Sequence, residues 1–129
     1  MKRLVTVFAC IAGLSLATGS VLAHHGRGSM FDMQKQVTLK GTVSEVAWRN
    51  PHVVIYMDVK DESGAVKNYR IEMGPPYALA RGGWKRDTLK IGDKVTVTGA
   101  AAAKDGSSAG GSMPTTSMTL ADGQTLVMR

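Results

Sequence analysis

Cysteine is almost missing from this chain. The single copy, Cys10, falls inside an N-terminal stretch that reads as a leader, so the rest of the chain has no disulfide, no thiolate metal ligand and no cysteine nucleophile. The context of Cys10 argues against a lipid anchor, because the preceding Val7-Phe8-Ala9 carries a bulky residue and leaves almost no apolar run before the sulfur. A long hydrophobic run is missing too. The apolar stretch Leu4–Ala17 is shorter than the ~20 residues a spanning helix needs. Nucleophile elbow, glycine-rich phosphate loop and paired zinc-ligand spacing are all lacking. Basic residues are spread along the chain rather than clustered, which argues against a nucleic-acid role.

The opening "MKRLVTVFACIAGLSLATGSVLA" has the layout of a secretory signal. Lys2 and Arg3 form a positive n-region, the apolar stretch comes next, and Val21 and Ala23 place small side chains before a cut. Cleavage is expected after Ala23, with Ala17 as the second choice. Residues 1–23 are then a signal peptide, 24–36 an N-terminal arm and 37–129 the domain. Loss of Lys2 and Arg3 from 16 basic residues, set against 10 acidic ones, leaves a mildly basic mature protein of net charge +4. The expected location is the periplasm, with no membrane anchor after cleavage and weak attraction to anionic surfaces.

Beyond the arm the chain alternates in the two-residue period of strands. "QVTLKGTVSEVAW" (36–48) keeps Val37, Leu39, Gly41 and Val43 on one face, then slips phase to Val46 and Trp48, which predicts a bulge in one long strand. "HVVIYMDVK" (52–60) and "VKNYRIEM" (66–73) form a hairpin about "DESG". The register that keeps apolar residues together pairs Ile55 with Ile71 and Met57 with Tyr69, and on the other face Val54 with Glu72 and Tyr56 with Arg70. Pro75 or Pro76 starts a short helix that Gly82 and Gly83 stop. "KVTVTGAAAA" gives a fourth strand with Val95 and Val97 inward. The Ala-, Gly- and Ser-rich stretch 100–114 reads as a mobile hairpin loop, and 115–129 as a last strand or hairpin turning at Asp122-Gly123. This order predicts an all-β fold with one short helix, a small five-stranded OB-like barrel, with another small barrel or an open antiparallel sheet as alternatives.

The motifs "HH…MFD…K.VTLKGTV…W.NPH", "IEMG", "R.GW.RDTLK.GD.VTVTG" and "DG", in that order, resemble a family of small exported bacterial proteins catalogued only as a domain of unknown function. The resemblance runs through nearly the whole mature chain. It departs after the histidine pair, where "GRGSMFD" stands in place of an aromatic-containing "SFAMFD"-like stretch. It implies export and one compact β-rich domain, and brings no activity with it.

Three groups of residues can carry chemistry. Cleavage after Ala23 would give His24 a free α-amine, and amine plus imidazole nitrogens suit Cu(II). His25 or His52 would complete the set, and the thioethers of Met30 and Met33 favour Cu(I); the bland alternative is a solvated arm. Around "WRNPHV" and "RIEM", His52 stands diagonal to Glu72, a pairing that orients a metal ligand or holds a turn shaped by Asn50 and Pro51. In "ARGGWKRD", Arg81, Lys85 and Arg86 surround Trp84, which is either an exposed recognition platform or a structural plug of the barrel end. Trp48, Asn50, Glu72, Arg81 and Trp84 are the candidate ligand contacts, and His24, His25 and His52 the candidate metal ligands. The first functional reading is a non-enzymatic binding or accessory module for a small ligand or an envelope protein; the second is a periplasmic copper-binding protein.

Overall fold

The computed structural model describes residues 27–111 and 116–129, and the expectations that fall on 1–26, His24 and His25 among them, lie outside those residues. The elements are α1 (Arg27–Met30), β1 (Phe31–Ala47), β2 (Val54–Lys60), β3 (Val66–Glu72), α2 (Pro76–Arg81), β4 (Lys94–Ala103), β5 (Ser108–Gly110), β6 (Ser117–Thr119) and β7 (Thr125–Val127). Hydrogen bonding runs β1–β2–β3–β5–β4 and returns to β1, which closes a five-stranded barrel. The barrel pairs are antiparallel except β3 with β5. With the helix between β3 and β4, this is the expected OB-like barrel. The β6–β7 hairpin adds to the edge of β4.

One strand makes closure possible. β1 pairs with β4 along its first part and with β2 along its second, and Gly41 lies opposite both Val95 and Val59. The phase slip between Val43 and Val46 is a bulge: the β2 ladder steps from Val43↔Met57 to Glu45↔Tyr56 and leaves Ser44 unopposed. The turn before β4 is tied to the same place, since Val43 donates to the Asp93 carbonyl and accepts from the Gly92 amide, both at 2.8 Å.

The β2–β3 register is the one apolar matching demanded, Ile55 against Ile71 and Met57 against Tyr69. Ile55, Met57, Ile71, Met73, Val97, Met118 and Met128 are fully or almost fully buried and form the core with Val43, Leu39 and Trp84. Burial of each large side chain contributes roughly 1.5–3 kcal/mol. α2 starts from Pro75 in extended conformation and ends at Gly82, as the Pro and Gly residues foretold. It buries Leu79 at the barrel end nearest the close of β3.

Two expectations need correction. β1 begins at Phe31, not Gln36, because Phe31 is itself a ladder residue opposite Ala103 and is buried on Ala101 and Ala103. The stretch 100–114 is not simply a loop. Ala100–Ala103 end β4, as the strand reading of "KVTVTGAAAA" had it, and Ser108–Gly110 are β5, with only 104–107 turning between them, while 112–114 lie outside the described residues. Small side chains that read as linker composition are here a seat: the Phe31 ring lies 3.4–3.5 Å from where a Cβ on Gly110 would stand. The turn is held by Asp105, whose carboxylate accepts from the Ser107 amide and hydroxyl. The Ser107 hydroxyl and backbone, aided by the Lys67 charge, hold that carboxyl below its usual range.

Candidate functional site

The outer face of β1–β3 is set by the same register that fills the core. Val54, Tyr56 and Asp58 of β2 point away from the barrel, with Glu72, Arg70 and Asn68 opposite them on β3 and Ala47, Glu45 and Thr42 on β1. At the end where β2 begins, this face carries a connected set of charges. The His52 imidazole donates from Nδ1 to Glu72 Oε1 at 2.7 Å, and Arg70 Nη1 donates to Glu72 Oε2 at 3.3 Å. All three side chains are partly open, at 37% for His52, 21% for Glu72 and 40% for Arg70. Further along, the Asn68 amide donates to Asp58 Oδ1 at 2.7 Å and to Ser44 Oγ at 2.9 Å, which ties the bulge residue into the face.

The chemistry of the trio follows from its bonds. With Nδ1 engaged by the carboxylate, the neutral imidazole of His52 carries its lone pair on Nε2, the nitrogen turned away from Glu72. A histidine oriented through a carboxylate is a ligand held in one tautomer. Arg70 holds the other oxygen of the same carboxylate, so the carboxylate is fixed from both sides. The His52–Glu72 pairing was legible from strand register. Sequence reasoning missed Arg70 as the third member; the available signal is that residues 70 and 72 share a face, because strand side chains alternate.

The remaining candidates separate. Trp48 is half-buried and packs against the core, and Asn50 is exposed at a turn with a cis bond to Pro51. Arg81 is exposed and lies over the Tyr77 ring, 5.8 Å from its centroid. Trp84 is a correction to the recognition-platform reading. It is 2% exposed and donates its indole N–H to the Val127 carbonyl at 2.7 Å, so it is a plug in the barrel end with no face for a ligand. The polar handle of a large aromatic decides this, because a buried indole needs a carbonyl and β7 supplies one. Of the thioethers, Met30 is exposed and Met33 packs against the Phe31 cluster. Among the described residues no three His, Cys, Asp or Glu side chains are grouped to hold a metal ion.

No curated protein and no solved structure matches this chain. A family model does, over residues 12–112, a span that holds β1 to β5 and the whole His52–Glu72–Arg70 trio. The chain therefore belongs to a family of unknown function, DUF6152.

Proposed function

We propose that this protein is exported by a cleaved leader, residues 1–23, and acts in the periplasm as a non-enzymatic binding module that recognises a small ligand or an envelope protein. Its recognition surface is the outer face of β1–β3. The observation that carries the reading is the His52–Glu72–Arg70 set, three partly open polar side chains held in one geometry beside Tyr56, which lies opposite Arg70. Such a face offers a cation, a hydrogen-bonding imidazole and an aromatic edge within a few residues, on strands that cannot shift without disturbing the core.

Native mass spectrometry of protein purified from the cell envelope tests this. The expected result is an N-terminus at His24 and a discrete retained mass that Arg70→Ala and Tyr56→Ala each strip away while the fold persists. An envelope-purified protein with its leader intact, or a retained mass indifferent to both substitutions, overturns the reading.

A second reading, copper binding, has its own observation. Glu72 leaves Nε2 of His52 as the donating nitrogen, and Phe31 rests on Gly110, the ladder partner of Glu72. The arm thus enters the domain on the face that carries His52, about 5 Å per strand away. His24 stands seven residues before Phe31. With Arg27–Met30 helical at ~1.5 Å per residue and the other three residues spanning at most ~3.3–3.6 Å each, this segment can reach about 16 Å, roughly three strand spacings, which would bring the His24 amine and imidazole within range of His52. Authentic mature protein is then expected to take up one Cu(II) in calorimetry. An extra residue before His24 abolishes that uptake, and Glu72→Gln weakens it roughly 10–100-fold by releasing the imidazole. Weak, nonstoichiometric uptake by the mature protein overturns it.

A further inference from the structure

The two ends of the barrel are finished differently. One is covered by α2 and the Trp84–Leu89 segment, and Val46, Trp48, Val53, Ile55 and Met73 pack beneath them. At the other end the chain turns back at 61–65 and 104–107. The result is a cleft of about 380 Å³. Its floor is apolar, formed by Val37 and Leu39 of β1, Tyr69 of β3 and Ala102 of β4, and its rim carries Lys35, Lys67 and Lys104 against one acid among the described residues, Asp105.

Volume and lining fall in the range of small-molecule sites, which pair an apolar body with a few convergent polar groups. The rim is organised. Lys67 bonds the Gly106 carbonyl and stands over the Tyr69 ring, 4.7 Å from its centroid, so its ammonium is held at the edge of the floor with donors to spare. Asp105 gives its hydrogen bonds to Ser107 and its charge partly to Lys67, which leaves the rim with more cations than acids among the described residues. The floor residues belong to the inward phase of their strands, and Ala102 leaves space that a larger side chain would fill. Apolar floor and cationic rim together select one ligand chemistry.

We propose that this open barrel mouth is a binding site for a small organic anion, an apolar body with a carboxylate or phosphate head, the body resting on Tyr69, Val37 and Leu39 and the head met by Lys35, Lys67 and Lys104. The site is separate from the His52 face and does not depend on it.

Titration of the mature protein with 4-phenylbutyrate, followed by amide resonances, tests the proposal. Saturable shifts are expected at Val37, Leu39, Tyr69 and Ala102. The combined Lys35→Glu, Lys67→Glu and Lys104→Glu variant is expected to bind roughly tenfold more weakly or worse, because the rim turns from attracting to repelling an anion. Ala102→Phe, which alters no charge, is expected to block the cleft, and His52→Ala to leave binding unchanged. Core resonances of Ile55 and Ile71 report that each variant is folded. Equal binding of 4-phenyl-1-butanol would show that the rim selects no charge, and equal binding of acetate that the floor contributes nothing. Either result, or no saturable shift, overturns the proposal.

Discussion

Trp84→Ala is expected to lower the unfolding free energy by about 3–5 kcal/mol, the range for truncating a buried large aromatic. Trp84 is 2% exposed and its side chain fills the barrel end between Val53, Met73 and Leu89. A small domain has a total stability of only about 5–15 kcal/mol, so this one change removes a large part of it. Trp84→Phe separates two contributions. The ring volume is mostly kept, but the Val127 carbonyl loses the indole donor that now reaches it at 2.7 Å. That unsatisfied carbonyl is expected to cost about 1–3 kcal/mol. Urea denaturation measures both. Burial itself is read by fluorescence: the chain has two tryptophans, so in a Trp48→Phe background the remaining emission is expected to be blue-shifted and resistant to acrylamide. Red-shifted, readily quenched emission would restore Trp84 as a surface platform.

Gly41→Ala is the second large effect, and here the structure reverses the sign that strand composition implies. Glycine inside a strand is ordinarily about 0.5–1 kcal/mol worse than alanine, so the substitution should stabilise. But Gly41 lies where β1 passes from β4 to β2, opposite Val95 and Val59 at once. A Cβ there would collide with the Asp58 carbonyl oxygen and come within 3.0 Å of the Met57 side chain. Backbone cannot give way as a flexible side chain does, so the β1–β2 pairing must open. A loss of roughly 1–3 kcal/mol is expected, as for other overpacked sites. A gain in the denaturation midpoint would show that the strands part there without penalty.

Much of this architecture was legible in the chain because local and tertiary demands agree. The β2–β3 register follows from apolar matching alone, since a slip by one residue would turn Ile55, Met57 and Ile71 to solvent. The bulge after Val43, the Pro76–Arg81 helix and the Asp122-Gly123 turn likewise follow from neighbouring residues. The register also placed His52 near Glu72. What misled was composition without partners: alanine and glycine at 100–110 resemble a linker until Phe31 arrives from the far end of β1 to cover them. The lysines of the barrel mouth were silent for the same reason, because positions 35, 67 and 104 converge only when β1, β3 and β4 close.

The sequence by itself therefore determined the pairing of the central hairpin, the bulge in β1 and the single helix between strands, which depend on periodicity and turn chemistry within short spans, while the order of its motifs pointed to the family. Tertiary structure alone decided which face each ambiguous side chain serves. It made Trp84 a plug rather than a platform, because the Val127 carbonyl lies within reach of its indole. It joined Arg70 to the His52–Glu72 pair, and it shaped the cleft at one end of the barrel. Those outcomes depend on atoms far apart in the chain, and only closure of the barrel brings them together.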